Sequence, residues 1–224
     1  MASIRNTVGR LLHKIDSGRK VTKSVTEYRR LIEQSAQEAT ADCEIAAELV
    51  SRNLSNIITQ KSRILTHSYS STVKRALQLC PKRGIQIYVT ESGPTFEGSI
   101  LARELAEFGF PTKVLSDTMT RRFPIEFDAV IVGADSTLAD GSVVNKAGTK
   151  DIARTAHQST IPVYVAAERS KFDIMQFLGQ PIQTNELFDL TPSAYISSII
   201  TEQGGVKPCD VGNQIESLVR ELYT

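Results

Sequence analysis

The sequence predicts an α/β fold in which N-terminal helices precede a parallel sheet that is covered by helices on both faces. Before residue 63, apolar residues recur at spacings of three and four, and no proline occurs before Pro81, a pattern that is typical of amphipathic helices. From Arg63 onward, short runs of β-branched residues alternate with helical segments. Such alternation indicates right-handed βαβ units. We therefore predict a helical subdomain over residues 1–61 and a sheet domain over residues 62–224.

The N-terminal third is expected to form three helices. The first should end at Ser17-Gly18 and the second should begin near Ser24, because small polar residues and glycine are common at helix ends. A third apolar face follows further along the chain. The apolar positions of the three predicted helices are Ile4, Val8, Leu11, Leu12 and Ile15; then Val25, Tyr28, Leu31 and Ile32; then Ile45, Leu49, Val50, Leu54, Ile57 and Ile58.

Five strands are predicted after Arg63, separated by three helices. The run at residues 129–132 is apolar without interruption, as expected for a central strand that is buried on both faces. Thr191-Pro192 should cap and begin a further helix carrying Ala194, Ile196, Ile199 and Ile200, and a last helix is predicted over 212–222. The predicted strands are 64–65, 85–89, 114–115, 127–132 and 162–166, and the predicted helices between them are 72–79, 98–108 and 149–158.

Composition argues against several classes of function. The formal net charge of +1 gives no reason to expect a nucleic-acid partner. The three cysteines, Cys43, Cys80 and Cys209, are far apart and form no CxxC pair, so we expect neither disulfides nor a zinc site and predict a cytoplasmic protein. No stretch approaches the roughly 20 apolar residues of a membrane span, so no membrane association is predicted.

No cofactor or metal is predicted. A GxGxxG fingerprint after a strand and a GxxxxGK[ST] loop are both missing from the sequence, which argues against a dinucleotide or P-loop site. His13, His67 and His157 lack the spacing of metal ligands.

Polar residues accumulate where the predicted strands end. Ligands of open parallel sheets bind outside the carboxyl ends of the strands, so these loops are the candidate site. Seven residues with polar side chains, Thr66 to Thr72, follow the first strand. The candidate ligand-binding residues are Thr66, His67, Ser68, Tyr69, Ser70, Glu91, Gly133, Ala134, Asp135, Asn145, Lys146 and Lys171.

The chemistry of these residues suits a phosphorylated small molecule. The Thr66 to Thr72 loop precedes a helix, whose N-terminus attracts anions. The alternative is that its serine and threonine residues are helix caps only. Asp135 is a candidate general base or an acceptor for sugar hydroxyls, or else a structural carboxylate. Lys146 is a candidate phosphate ligand or a solvated surface lysine. His67 is a candidate acid or base, but a lone histidine is more often a packed one.

Several of these loops resemble one known family when they are taken in order. The segments are Ile64-Leu65-Thr66-His67-Ser68-Tyr69-Ser70, Tyr88-Val89-Thr90-Glu91-Ser92-Gly93-Pro94, Gly133-Ala134-Asp135, Asn145-Lys146-Ala147-Gly148-Thr149, Tyr164-Val165-Ala166-Ala167-Glu168 with Lys171-Phe172, and Phe188-Asp189-Leu190-Thr191-Pro192. The series resembles the family of the alpha, beta and delta subunits of translation initiation factor 2B. This family also includes methylthioribose-1-phosphate isomerase and ribose-1,5-bisphosphate isomerase.

The resemblance implies a helical N-terminal subdomain followed by a Rossmann-like parallel sheet with helices on both faces, and a homodimer or higher homo-oligomer. It also implies that an isomerase would use a cysteine in the first loop and an aspartate after the central strand. The aspartate corresponds to Asp135, but the cysteine position is Ser68 here. A serine hydroxyl is a much weaker acid than a thiol.

Two further departures from the isomerase pattern concern phosphate binding. The isomerases have arginine before the proline of the second loop, where this chain has Gly93, and an Arg-Gly-Ala segment that this sequence lacks. The resemblance is therefore strongest to the regulatory subunits, which implies a protein that binds a phosphorylated sugar or nucleotide and possible contact with a translation factor. The alternative is an aldose–ketose isomerase that uses Asp135, with Ser68 in place of cysteine. A third alternative is a purely structural interaction module.

Overall fold

Seven α-helices lie within the residues that the computed structural model describes, which are 2–19, 24–123, 125–182 and 184–223. Two long helices come first, and the other five alternate with strands or close the chain. In chain order they are α1 Ala2–Arg19, α2 Val25–Ser55, α3 Ser71–Leu79, α4 Glu97–Phe108, α5 Thr149–Gln158, α6 Ile174–Phe177 and α7 Val211–Tyr223. No helix in this part of the chain has the length and apolar character needed to cross a bilayer.

Ten strands form two sheets across the same residues. The large sheet has the order β10-β9-β7-β4-β1-β2-β3, and the small antiparallel sheet has the order β5-β6-β8. All neighbouring pairs in the large sheet are parallel except β9 with β10. The strands are β1 Arg63–His67, β2 Gln86–Thr90, β3 Thr112–Leu115, β4 Ala129–Gly133, β5 Ser136–Thr137, β6 Val143–Lys146, β7 Val163–Ala166, β8 Phe188–Thr191, β9 Ser198–Thr201 and β10 Gly204–Val206.

The strand order of the large sheet changes direction between β1 and β4. From β1 the chain adds β2 and β3 on one side, and then adds β4, β7 and β9 on the other. Loops leaving β1 and β4 therefore diverge to opposite faces and leave a crevice at the carboxyl ends of these strands, which is where open α/β sheets bind ligands. The predicted α/β class, with helices before a mostly parallel sheet, is confirmed.

The N-terminal region contains two helices where three were predicted. The second and third predicted helices are one 31-residue helix, α2, which begins after Ser24, whose side chain accepts a hydrogen bond from the backbone N–H of Glu27. The apolar pattern lapses between Ile32 and Ile45, but this stretch contains no glycine or proline. Pairs at i,i+4 such as Arg29 with Glu33 support the exposed helix there.

Gly18 does not end the first helix. Helix α1 runs on to Arg19, and a Cβ on Gly18 would lie 2.5 Å from a methyl carbon of Leu31 in α2. A larger residue at this position would require the Leu31 side chain to move, so glycine accommodates the close approach of the two helices.

The predicted helix after Pro192 is also wrong. Residues Ser193–Tyr195 form one 3-10 turn, and Ser198–Thr201 form strand β9, which pairs in parallel with β7. Ile199 and Ile200 are both fully buried, and they belong to apolar clusters on opposite faces of the sheet. An inner strand needs apolar residues on both faces, so the tertiary position of this segment overrides the helix-start signal.

The core consists of one apolar cluster on each face of the large sheet. Val50 and Leu54 from the C-terminal half of α2 are fully buried in one of these clusters, together with sheet residues such as Ile64 and Ile87. The end of α2 therefore packs directly on the sheet.

Candidate functional site

A cavity of about 210 Å³ lies at the carboxyl ends of β1 and β4, where the strand order reverses. Eight of the twelve residues proposed from the sequence line it. The complete lining is His67, Ser68, Tyr69, Ser70, Glu97, Gly133, Asp135, Asn145, Lys146 and Phe188.

The loop after β1 brings hydroxyl groups to this cavity. Ser68 has a φ of 60°, a left-handed conformation that costs a non-glycine residue on the order of 1 kcal/mol. Its hydroxyl donates a hydrogen bond of 2.8 Å to the Glu97 carboxylate. Two residues later, Ser70 caps α3 by accepting a 3.3 Å hydrogen bond from the backbone N–H of Val73. The loop thus presents serine hydroxyls at the N-terminus of a nine-residue helix.

Gly133, at the end of β4, allows the loops that follow β1 and β4 to approach each other. A Cβ at this position would lie 2.8 Å from the Ser70 hydroxyl oxygen. Any larger residue would therefore push the first loop away from the cavity. Glycine is favoured here because a side chain would clash with Ser70.

Lys146 supplies the positive charge of the cavity. Its side chain is 8% exposed, and its ammonium lies 3.4 Å from Glu97 and donates to the Thr95 hydroxyl at 2.9 Å. Burial by itself would raise the pKa of Glu97, but the hydrogen bond from Ser68 and the charge of Lys146 bring that pKa below its ordinary value. The Glu97 carboxylate is consequently ionised at neutral pH and partly neutralises Lys146.

Asp135 stands two residues after β4 and is half-buried. Its backbone N–H donates a 2.9 Å hydrogen bond to the Val144 carbonyl, which ties it to the small sheet. Burial raises the pKa of Asp135, and the positive charge of Lys171 opposes this. A half-buried carboxylate with a raised pKa is suited to exchange a proton or to accept a sugar hydroxyl.

Lys171 does not line the cavity. Its ammonium is 2.9 Å from the buried Glu168 carboxylate, whose other oxygen accepts a 2.8 Å hydrogen bond from the Thr72 hydroxyl. Burial would raise the pKa of Glu168, but the charge and hydrogen bond of Lys171 hold it below its ordinary value. Lys171 therefore acts on Asp135 through its field rather than by contact with a ligand.

His67 is a packed residue. Its Nδ1 is 2.5 Å from the Thr90 hydroxyl, and its Nε2 is 2.9 Å from the Ala147 carbonyl. Since a carbonyl can only accept, Nε2 carries the proton and Nδ1 accepts from Thr90 in the neutral ring. Burial lowers the pKa of His67. Both ring nitrogens are engaged, which favours the packed interpretation over that of an acid or base.

Three other proposed residues lie outside the cavity lining. Thr66 is a buried β1 residue whose hydroxyl has no hydrogen-bond partner among the described residues. Glu91 accepts hydrogen bonds from the Ser116 hydroxyl and the Asp117 backbone N–H, so it holds neighbouring loops together. Ala134 is buried in the apolar core.

Asn145 lines the cavity, and its side-chain amide donates a 3.0 Å hydrogen bond to the Thr149 hydroxyl.

The sequence reasoning missed Glu97 and Phe188. Glu97 is the first residue of α4, one position before the predicted start of that helix, and it comes shortly after the second candidate loop, which ends at Pro94. An acidic residue in the first turn of a helix is a common feature, so a ligand role for it had no sequence signal of its own. Phe188 begins β8 in the small sheet, whose strands were not predicted.

Comparison with known proteins identifies relatives along most of the chain. Residues 1–185 match the model of the initiation factor 2 subunit family. A translation initiation factor eIF-2B subunit 2-like protein of Pyrococcus horikoshii is 38% identical over 198 residues, which cover 82% of this chain and 72% of that protein. The ribose 1,5-bisphosphate isomerase of Haloferax volcanii is 31% identical over 225 residues, covering 89% of this chain and 68% of the enzyme.

Solved structures give the same grouping. The crystal structure of the P. horikoshii OT3 translation initiation factor eIF-2B aligns with a TM-score of 0.77 and 35% identity over 93% of this chain and 76% of that one. The 5-methylthioribose 1-phosphate isomerase of the same organism shares the fold, with a TM-score of 0.75 and 22% identity over 94% of this chain and 69% of that one. The chain therefore belongs to the initiation factor 2 subunit family, whose relatives include both initiation factor subunits and sugar-phosphate isomerases.

Proposed function

We propose that this protein binds a phosphorylated sugar or nucleotide in the cavity between β1 and β4 and acts as a regulatory protein through oligomerisation or contacts with other proteins. The observation that carries the proposal is the meeting of the first-loop hydroxyls, Lys146 and Asp135 in one cavity at the reversal of strand order. This combination offers a cation and helix N-terminus for phosphate and a carboxylate for sugar hydroxyls.

The phosphate is expected at the N-terminus of α3. Ser68 and Ser70 would donate hydroxyl hydrogen bonds, and the nearly buried ammonium of Lys146 would supply charge. An anion at this position also gains from the helix dipole, by about 1 kcal/mol. The Glu97 carboxylate accepts the hydrogen bond of the Ser68 hydroxyl and lies beside the Lys146 ammonium. A bound phosphate would replace the Glu97 carboxylate in both contacts.

The sugar is expected beside Asp135 and Asn145. A carboxylate oxygen accepts hydrogen bonds from hydroxyl groups, and the carbonyl oxygen of an amide does the same. Both side chains line the same cavity as the first loop. A ribose between these two walls would have its phosphate directed to α3.

A regulatory role is favoured over catalysis by the residue at position 68. The Ser68 hydroxyl donates to a carboxylate, and the pKa of that carboxylate is lowered, which makes it a poor base for activating serine. None of the three cysteines substitutes for the missing thiol. Cys43 and Cys209 are exposed and outside the cavity, and burial raises the pKa of Cys80 to about 11.

The second candidate function is an aldose–ketose isomerase of sugar phosphates. It is favoured by the raised pKa of Asp135, which suits an acid–base catalyst, and by relatives named ribose 1,5-bisphosphate isomerase. In that case Asp135 would move a proton between neighbouring sugar carbons, and Ser68 would replace the thiol. Free thiols outside any disulfide fit the proposed cytoplasmic site of action for either function.

Phosphorus NMR tests both functions in one experiment. The protein is mixed in turn with ribose 1,5-bisphosphate, methylthioribose 1-phosphate and AMP. Broadened or shifted ligand signals without new peaks are expected for the regulatory protein. New product peaks that disappear in Asp135→Asn, but persist in the surface control Asp16→Asn, would establish the isomerase instead. Unchanged spectra with all three ligands would refute ligand binding and leave a structural module.

The proposed assembly is a homodimer or a higher homo-oligomer. It is supported by the described assembly of one structural neighbour, a tetrameric eIF2B-beta2-delta2 complex, which shares the fold with a TM-score of 0.74. Sedimentation velocity over a range of protein concentrations, with and without a phosphorylated ligand, tests it. A single species of monomer mass at all concentrations would rule it out.

A further inference from the structure

The turn between β6 and α5 follows directly on two polar residues of the candidate site. Asn145 and Lys146 are the last two residues of β6, and both line the cavity between β1 and β4. Ala147 and Gly148 then lead into α5. The positions of the Lys146 ammonium and the Asn145 amide therefore depend on how firmly this turn is held.

One side of the turn rests on His67, the last residue of β1. The Ala147 carbonyl accepts a 2.9 Å hydrogen bond from Nε2 of His67. Gly148 has a φ of 106°, which favours glycine, and a Cβ at this position would lie 2.9 Å from a carbon of the same ring. The end of β1 thus holds the turn by a hydrogen bond and by close contact.

The other side of the turn is held by Asp189 of β8, which does not line the cavity. Its carboxylate accepts a 2.7 Å hydrogen bond from the backbone N–H of Gly148. It also accepts one from the backbone N–H of Lys150, which is shared between its two oxygens at 3.2 and 3.3 Å. Asp189 is placed there because β8 pairs with β6 in a register that sets it opposite Asn145.

Asp189 also supplies the cap that α5 lacks. Gly148 occupies the N-cap position and has no side chain to accept an N–H group of the first turn. A carboxylate at a helix N-terminus is favourable, and Asp189 provides one from a distant part of the chain. The N-terminus of α5 is therefore already occupied, whereas that of α3 faces the cavity through Ser70.

We propose that Asp189 is a positioning residue of the ligand site, which holds the turn after β6 so that Asn145 and Lys146 face the ligand. The inference rests on the proposed ligand-binding function and adds a residue that acts without touching the ligand. Its effect on an anionic ligand is opposite to that of its charge. Removing a carboxylate near an anion site strengthens anion binding by electrostatics alone, whereas loss of support for the turn weakens it.

Calorimetric titration of two Asp189 variants with ribose 5-phosphate, ribose 1,5-bisphosphate and AMP separates these effects. Asp189→Ala should bind about fivefold more weakly, a factor that corresponds to the loss of a helix cap. Asp189→Asn keeps an oxygen that accepts a backbone N–H, and asparagine caps helices as well as aspartate does, so it should stay within about twofold of the unmodified protein.

The control variant is Asp140→Ala. Asp140 lies in the turn before β6, outside the cavity lining, and its carboxylate accepts hydrogen bonds of 2.9 Å from the backbone N–H and the hydroxyl of Ser142. Its replacement removes the same charge and the same kind of backbone support from the other end of β6. Binding should stay within about twofold of that of the unmodified protein.

Nitrogen-15 NMR of the His67 ring reports on the turn itself. The Ala147 carbonyl fixes the ring proton on Nε2. Asp189→Ala should show a mixture of both tautomers, because the carbonyl is no longer held at Nε2, whereas Asp189→Asn and Asp140→Ala should keep the Nε2–H form. An unchanged tautomer in Asp189→Ala would contradict the inference even if binding were weaker, since the turn would then stay in place without Asp189.

The affinities give two further ways to overturn the inference. Unchanged binding in Asp189→Ala, or tighter binding in both Asp189 variants, would leave the proposed function intact and remove the positioning role. If Asp189→Ala does not fold, the asparagine variant decides, because binding more than about twofold tighter would show that only the charge of Asp189 matters. Failure of all three ligands to bind the unmodified protein would refute the proposed function and the inference with it.

Discussion

Glu97 makes the contacts that the proposed phosphate would use in the cavity between β1 and β4. Its carboxylate accepts from Ser68 at 2.8 Å and lies 3.4 Å from Lys146. Glu97 is partly exposed to solvent, and ion pairs with an exposed partner contribute modestly, about 1 kcal/mol or less. The pair therefore orients the Lys146 ammonium towards Glu97 but is weak enough for an anion to replace the Glu97 carboxylate.

Replacing Glu97 by glutamine should strengthen phosphate binding. Glu97→Gln removes a negative charge from the cavity and frees the Lys146 ammonium, so the dissociation constant for ribose 5-phosphate should fall about fivefold, or about 1 kcal/mol. Calorimetric titration at low salt gives the value. Glu107→Gln, on the exposed face of the same helix, is the control and should bind as the unmodified protein does. Unchanged or weaker binding in Glu97→Gln would mean that phosphate does not use Lys146.

Asp135 should give stability a characteristic pH dependence. Because burial raises its pKa in the folded protein, the unfolded chain loses this proton first as the pH rises from about 3.9. The contribution of Asp135 is therefore most favourable below that value and is lost as the pH rises through the folded-state pKa. Asp135→Asn should accordingly be more stable than the unmodified protein at pH 7, and the difference should shrink towards pH 4.

Urea unfolding between pH 4 and pH 8 measures this difference. Asp16→Asn, an exposed carboxylate in α1, is the matched control and should stay within about 0.5 kcal/mol of the unmodified protein. If Asp135→Asn were less stable at pH 7, the carboxylate would be making a favourable contact in the folded state that outweighs its burial.

At the scale of elements, the long helix α2 has two different halves. Its N-terminal half is mostly exposed, whereas Val50 and Leu54 near its end are fully buried against the sheet. The apolar pattern of the sequence marks both halves alike, since Val25 and Ile32 in the N-terminal half are also apolar but are 87% and 39% exposed. Periodicity identifies a face that can be buried, and the packing partner decides which part of it is.

Two leucine substitutions in α2 should therefore differ greatly in cost. Leu54→Ala should lower the free energy of unfolding by about 2–5 kcal/mol because it leaves a cavity in the core. Leu49→Ala should cost less than about 1 kcal/mol, since the side chain is partly in water and alanine has a high helix propensity. Urea unfolding at low protein concentration compares the two. Equal costs would show that the exposed face of α2 is covered in solution.

At the scale of the whole molecule, the packing of α2 on the sheet bears on the proposed division of the chain into a helical subdomain, residues 1–61, and a sheet domain, residues 62–224. Val50 and Leu54 lie in the same apolar cluster as Ile64 and Ile87 of the sheet. A helical subdomain that shares its core with the sheet is not expected to unfold separately.

We therefore expect one cooperative unfolding transition. Far-UV circular dichroism, which reports the helices, and tyrosine fluorescence should give the same urea midpoint. Leu54→Ala should move both midpoints together. Two separate transitions would instead identify residues 1–61 as an independently stable unit.

The sequence by itself determined the fold class, the order of β1, β2, β3, β4 and β7 with the helices among them, and the place of the candidate site at the strand ends. These features depend on local periodicity and on the general rule that ligands bind where parallel strands end. For that reason the sequence was sufficient to propose Asp135, Asn145, Lys146 and the Ser68–Ser70 loop as site residues. The order of the loop motifs was sufficient to recognise the family.

Only the tertiary structure decided the features that depend on contacts between distant segments. Gly18 lies within α1, where Leu31 of α2 is close to it, and Ile199 and Ile200 form a strand because β7 lies beside them. Glu97 lies in the site because α4 begins beside Lys146. A further cavity of about 160 Å³ lies where α1, α6 and the small sheet meet. Each of these outcomes is set by long-range packing, which overrides local sequence preferences because burial of apolar surface contributes more free energy than propensity does.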